Sequence, residues 1–246
     1  MRRRLLPADN KYSRGVVGIV AGSAKFPGAA LLTVGGARRG DAGYVKFVSA
    51  DKGLCDLVVA RFPDVVPIKS ITEERIDALV IGPGAGALPR LPKETPLVLD
   101  SAAIAALRTS KFSAGQIVVV TPHEGELRYL GIEPHSLDSE QRRRMAIEIA
   151  DRFEVICVLK GNRTVIAAPS NRVLVDKIGG PELACAGSGD LLAGLIGSFL
   201  VRVRDGADAF DLVCAAVQTH SKAGRYARRH YSSVTALEIM ESFALV

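Results

Sequence analysis

The stretch GGPELACAGSGDLLAGLIGSFL, residues 179–200, changes character at a single acid. Glycines and other small residues precede Asp190. Leu191, Leu192, Leu195, Ile196, Phe199 and Leu200 follow it, with Ala193, Gly194 and Gly197 between them. A helix predicted over 189–204 is apolar or small on every face from 191 to 200, and such a helix is buried. Its first turn carries unpaired backbone N–H groups and the positive end of the helix dipole. AGSG ahead of it lets another group approach the backbone closely. A glycine-rich loop entering a buried helix N-terminus is an anion site, most often for phosphate. Two roles for Asp190 stay open on this stretch alone. It could cap the helix by accepting a backbone N–H. It could instead take a proton from a hydroxyl that attacks the terminal phosphate of a nucleotide.

Upstream, GVVGIVAG (15–22), YVKFVS (44–49), DLVVA (56–60), DALVIG (77–82), PLVLD (96–100), QIVVVT (116–121) and VICVLKG (155–161) read as strands. Several are apolar nearly throughout, as strands covered on both faces are. Helical patterns fall at 27–40, 101–108, 123–131 and 138–152. This alternation predicts an α/β fold with a mostly parallel central sheet and helices on both faces. VICVLKG, TVIAAP and RVLVD then follow one another too closely for helices between them, and PSNR (169–172) supplies a turn. That pattern predicts an antiparallel edge meander. Helices at 189–204, 208–229 and 233–243 end the sequence. With no linker, low-complexity segment or repeat, residues 1–246 are expected to form a single domain.

The composition, 48% apolar and 24% charged over 246 residues, is that of a globular protein able to bury a sizeable core. A formal charge of +6 suits phosphate-bearing ligands, but the basic residues are scattered, as at Arg38 and Arg39, Arg142 to Arg144, and Arg228 and Arg229. No aromatic-interleaved patch accompanies them, so neither a nucleic-acid nor a membrane partner is expected. Cys55, Cys157, Cys185 and Cys214 have no C-x-x-C spacing and read as small reduced residues. MRRRLLPADN lacks the apolar run of a signal peptide, and no segment has the length of a membrane span. A cytoplasmic location is the expectation.

Further candidates lie where strands end, since ligands of α/β sheets bind at those carboxyl ends. GPGAG (82–86) follows a strand but Pro89 and Pro92 come next and no helix starts, which makes it a wall for a ligand rather than a dinucleotide fingerprint. In TPHEGEL (121–127), His123 could donate to a phosphate or ring, or be an ordinary loop histidine. In LKGNRT (159–164), Lys160 could pair with nucleotide phosphates or be a hairpin surface lysine. VAGSAKFPGAA (20–30) is another small-residue turn into a helix, and no phosphate-loop motif of the G-x-x-x-x-G-K-[ST] type occurs. His135, His220 and His230 have no metal-ligand spacing and read as structural or surface residues, with zinc not expected.

In order along the chain, KYSRGVVGIVAGSAKFPGAALLTVGGARRGDAGYVKFV (11–48), ALVIGPGAG (78–86), PLVLD (96–100), VVVTPHEGEL (118–127), VLKGNRTVIAAP (158–169) and ACAGSGDLLAGLIGSFL (184–200) resemble the ribokinase-like superfamily. Within it they are most similar to the ADP/ATP-dependent NAD(P)H-hydrate dehydratases. The resemblance implies a metabolite-repair reaction. A nucleotide phosphorylates the ring hydroxyl of hydrated NADH or NADPH (NADHX or NADPHX), and phosphate is then eliminated. By the same resemblance Asp190 is the base on that hydroxyl. Gly187, Ser188 and Gly189 form the anion hole, and Lys160, Gly161, Asn162, Arg163 and Thr164, with Gly189, hold ADP or ATP. Ala29, Gly86 and His123 contact the hydrated dinucleotide. Mg²⁺ accompanies the nucleotide, with ligands the sequence does not name. Relatives suggest a homotetramer, and an epimerase for the hydrate would be a separate protein.

The chain departs from the family pattern in places. Ser188 replaces the threonine of GTGD but keeps a hydroxyl. Ala85 replaces the leucine of GPGLG and shrinks a wall contact. DSAAIAAL (100–107) stands where DADALN is common, which leaves the role of the Asp100-Ser101-Ala102 loop open. Two other readings stand beside the dehydratase: a kinase of the same fold acting on a vitamin precursor or other small alcohol, and a nucleotide-sensing protein without catalysis. LACAGSGD lacks the acid and threonines that sugar kinases carry before the loop, which counts against a sugar kinase in particular.

Overall fold

A computed structural model of the protein describes residues 4–72, 74–133 and 138–246. His135 lies outside them. Among the described residues, nine strands form one sheet in the order β3-β2-β1-β4-β5-β6-β7-β8-β9. They are β1 (Val16–Val20), β2 (Tyr44–Val48), β3 (Val66–Ile68), β4 (Ala78–Ile81), β5 (Leu97–Leu99), β6 (Val118–Val120), β7 (Ile156–Leu159), β8 (Val165–Ala168) and β9 (Arg172–Val175). Pairing is parallel from β3 through β7 and antiparallel for β7–β8 and β8–β9. The expected edge meander is therefore present. Its β8–β9 turn sets Ser170 and Asn171 at φ 64° and 58°, the left-handed conformations a tight hairpin requires.

The helices are α1 (Pro27–Arg38), α2 (Lys52–Arg61), α3 (Ala106–Thr109), α4 (Ser139–Phe153), α5 (Ser188–Leu200), α6 (Ala209–His230) and α7 (Ala236–Ser242). Short 3₁₀ turns flank several of them, and the helix expected at 123–131 is one such turn, Glu124–Leu130. Alternate residues of each strand serve opposite faces. Val80, Val98 and Val119 face the core under α1, α5, α6 and α7. Leu79, Ile81, Leu97 and Leu99 face the core that Ile104, Leu127, Leu130 and Ile149 complete.

One expectation fails. DLVVA (56–60) is not a strand but the second half of α2. Asp51 starts that helix by accepting the backbone N–H of Leu54 at 3.1 Å, and Leu54 and Val58, four residues apart, are its buried positions. The cap and the helical spacing outweigh the β-branched pair at Val58 and Val59. The strand on the outer side of β2 is instead the three-residue VPI, whose Pro67 is tolerated because β3 is at an edge.

The long apolar helix lies where its composition demands. Leu191 to Leu200 are all buried. A Cβ added to Gly194 would collide with the carbonyl oxygen of Thr33, and one on Gly36 with that of Leu191. The backbones of α1 and α5 thus touch, and only glycine fits at the two contacts. This packing fixes the start of α5 beyond the carboxyl ends of the central strands.

Candidate active site

Asp100, Thr121 and Lys160 are the residues directly after β5, β6 and β7, three neighbouring parallel strands. Consecutive strand ends therefore set their side chains beside one another. Nζ of Lys160 lies 2.7 Å from Oδ1 of Asp100 and 3.5 Å from Oε2 of Glu126. The Thr121 hydroxyl also donates to Oδ1 of Asp100, and the Ser101 hydroxyl to its Oδ2 at 2.9 Å. Asp100 is 1% exposed, so these donors replace the water a buried carboxylate loses. Burial by itself lowers the pKa of the Lys160 ammonium, but Asp100 and Glu126 outweigh it and hold the pKa above its ordinary value. The loops are stitched as well as the side chains: the backbone N–H of Lys160 donates to the carbonyl of Pro122 at 2.7 Å, and His123 bridges Lys160 in parallel fashion.

The start of α5 covers this cluster. Gly187 is its N-cap at φ 86°, a left-handed conformation, and a Cβ there would collide with Leu32. A Cβ on Gly189 would lie 3.3 Å from Nζ of Lys160, so the first turn of the helix sits directly on the ammonium. Asp190 is the third helical residue, and no side-chain cap bond forms at this end. The capping role is thereby removed. Asp190 is half-buried, and its carboxyl is pushed up to about 7, first by burial, then by the negative charge of Asp100, with Glu126 adding and Lys160 opposing. A carboxyl with that affinity is matched to proton transfer at neutral pH. Behind the loop, the buried Ser188 hydroxyl lies 3.1 Å from Nε2 of His220, whose pKa burial pushes down to about 4. That imidazole is neutral at pH 7.

A cavity of about 670 Å³ joins these groups. Of the residues singled out in the sequence, His123, Lys160, Gly161, Asn162, Thr164, Gly187, Ser188, Gly189 and Asp190 line it. Arg163 instead lines an adjoining cavity of about 650 Å³ that shares His123, Lys160, Gly161 and Asn162 as its wall. Gly86 lines a third, of about 420 Å³, with Ser23, Asp51 and Lys69. Ala29 sits in the first turn of α1, where a Cβ on Gly84 would come within 2.6 Å of its own. His123 is mostly exposed and its Nε2 lies 3.6 Å from Oε1 of Glu126.

Among the lining residues to which the sequence assigned no role are Asp100, Glu126 and His220. Asp100 was legible in principle, because it follows PLVLD's apolar run as Lys160 follows that of VICVLK. Glu126 carries a local signal too, the three-residue spacing from His123 whose backbone N–H it accepts at 2.9 Å. His220, in mid-helix, carries none.

A mostly parallel sheet with an antiparallel edge, and a glycine-led helix start above its strand ends, is the architecture of the ribokinase-like class. Residues 17–244 match the family model described as NAD(P)H-hydrate dehydratase, and the chain belongs to that family. The bifunctional NAD(P)H-hydrate repair enzyme Nnr of Gloeobacter violaceus is 36% identical over 251 residues, which cover 90% of this chain and 47% of that protein. The chain thus spans about half the length of the curated relatives it matches. The ADP/ATP-dependent NAD(P)H-hydrate dehydratase of Bacillus subtilis, co-crystallised with ATP and Mg²⁺, superposes with a TM-score of 0.85 at 27% identity, over 100% of this chain and 92% of that one. A ribokinase-like superfamily protein of Enterococcus faecalis shares the fold, with a TM-score of 0.82 at 23% identity over 99% and 90% of the two chains.

Proposed function

We propose that this chain restores hydrated NADH and NADPH, using ADP or ATP as phosphoryl donor. The observation that carries the proposal is Asp190, a carboxyl with a raised proton affinity in the first turn of α5, facing the cavity that Lys160, Gly161, Asn162 and Thr164 also line. Asp190 takes the proton of the ring hydroxyl. The hydroxyl oxygen bonds to the terminal phosphorus as the phosphoanhydride bond breaks. Phosphate then leaves with its oxygen as the ring C–O bond breaks, and loss of a proton from the adjacent ring carbon restores the double bond of the dihydronicotinamide. Gly187, Ser188 and Gly189 present the positive end of α5 to the transferring phosphoryl group. Lys160 to Thr164 hold the nucleotide, and His123, Ala29 and Gly86 contact the hydrated dinucleotide.

Mg²⁺ fits this site as an ion carried by the nucleotide. No group of three His, Cys, Asp or Glu side chains able to hold a metal occurs among the described residues. Such an ion would keep phosphate oxygens and water as ligands, with Asp100, Glu126 and Asp190 as nearby negative charge. When bound, it neutralises charge on the transferring phosphoryl group.

The residues work within a single domain, which we take to function as a homo-oligomer in the cytoplasm; no helix among the described residues is long and apolar enough to cross a membrane. The test is a mixture of protein, acid-prepared NADH hydrate, Mg²⁺ and ADP or ATP, followed at the absorbance of reduced nicotinamide. A nucleotide-dependent rise with release of phosphate is the expected result. A stable phosphoester on another small alcohol, with no rise, would replace the dehydratase by a kinase. Light scattering of the same sample reads the oligomeric state.

A further inference from the structure

Arg142 is only 8% exposed, although it lies near the start of α4. Its Nη2 donates to the carbonyl oxygens of Leu159 at 3.1 Å and Lys160 at 2.9 Å. Its Nη1 pairs with Glu124, in the segment after β6. A Cβ on Gly161 would run into the same guanidinium, so the loop is seated directly on it. The helix that carries Arg142 is itself anchored: Asp138 and Gln141 form a reciprocal capping box at its start, and Ala146, Ile149 and Ala150 pack into the core beneath.

The arrangement has a cost that simple packing would avoid. Nε of Arg142 is buried and has no hydrogen-bond partner, and a buried orphan donor is destabilising. An apolar side chain of similar volume would fill the space without that cost. What an apolar side chain cannot do is hold two consecutive carbonyl groups and a carboxylate at once in a planar fork.

We propose that Arg142 is the positioning residue of the nucleotide loop. Its guanidinium fixes the main chain at Leu159 and Lys160, and through it the points at which Lys160 to Thr164 meet the nucleotide. The inference rests on the nucleotide role proposed above for that loop. Arg142 lines the adjoining cavity with Arg163 and not the one that Asp190 lines, so its effect is expected on nucleotide binding and not on the hydrate.

The test compares Arg142→Met, Arg142→Lys and Glu124→Gln with the unaltered protein. ADP and ATP affinity is measured by calorimetry, KM for the hydrate by absorbance, and folding by thermal melting. Glu124 is partly exposed, so water can take over its charge when the arginine is removed. Arg142→Met is expected to weaken nucleotide binding by about tenfold or more, the scale of one charge-assisted hydrogen bond, and to change KM for the hydrate by less than about twofold. Arg142→Lys should recover less than half of the loss, because an ammonium cannot reproduce the fork. Glu124→Gln should act in the same direction and more weakly. Equal shifts in nucleotide and hydrate constants, or a fall in melting temperature with nucleotide affinity unchanged, would overturn the proposal. If Arg142→Met does not fold, unchanged nucleotide affinity in the other two variants overturns it. Unaltered protein that binds nucleotide without restoring the hydrate refutes the dehydratase reading alone; absence of nucleotide binding refutes both.

Discussion

Nζ of Lys160 lies 2.7 Å from Oδ1 of Asp100 across the ends of two strands that are not neighbours in the chain, and both groups are largely buried. Removing one partner strands the other. Lys160→Met is expected to cost about 3 kcal/mol in urea unfolding, the usual scale for a broken buried pair. Adding Asp100→Asn to it should restore at least half. The ammonium's folded pKa is raised from 10.5. Its stabilising contribution is therefore complete below that value and is lost only as pH rises through the higher folded pKa. The ammonium's own titration therefore adds no pH dependence to the cost of Lys160→Met across the neutral range.

Asp190→Asn should lower kcat by about 10²–10⁴, the usual contribution of a general base. In the unaltered protein kcat/KM should rise with pH through about 7, and the variant's residual activity should lack that rise. Stability moves the other way. The folded pKa exceeds the reference 3.8, so the folded state holds a proton the unfolded chain has released. Stability therefore falls as pH climbs from about 3.8 to about 7 and levels off above. The variant should melt above the unaltered protein at pH 8 and level with it at pH 4. A variant that melts early yet keeps its turnover would return Asp190 to a structural role.

His220 gives the opposite slope. Its folded pKa, about 4, lies below the reference 6.5, so the unfolded chain binds the proton first. The stability this neutral imidazole contributes is present above 6.5 and lost as pH falls towards 4. His220→Gln should flatten that acid loss. Melting curves taken from pH 4 to pH 8 should therefore tilt in opposite senses for the His220 and Asp190 variants.

Gly194→Ala tests the contact between α1 and α5. The new methyl meets the Thr33 carbonyl, a backbone atom that cannot swing aside. We expect a loss of about 1–3 kcal/mol, with kcat falling too because α5 carries Asp190. Unchanged melting would mean that the helices separate freely.

Much of this was legible in the chain. Long apolar runs such as QIVVV and a helix apolar on all sides leave few alternatives to a covered sheet, and the PSNR turn marks its antiparallel edge. The misreading of DLVVA and the missing VPI strand have one cause: in stretches of three to five residues, composition is overruled by a cap at Asp51 and by the edge position of β3. In the site, the glycine loop and Asp190 announce themselves because unusual residues adjoin an unusual helix. Asp100 and Glu126 do not, because each matters through a partner distant in sequence. The family resemblance itself worked against Asp100, since the residues after it break the usual motif.

Asp100, Thr121 and Lys160 each directly follow a strand of three that run side by side; Thr121 falls opposite Asp100, and Lys160 reaches two residues further, opposite His123. The sheet therefore acts as a ruler, its graduations set by the interstrand distance of about 4.8 Å. Drift in the surrounding loops cannot easily alter the spacing of the strands that carry these side chains. A lineage could rework the cavity rim for a different acceptor alcohol and still inherit its charge pattern intact, because that pattern is written in the hydrogen-bonded lattice rather than in the loops.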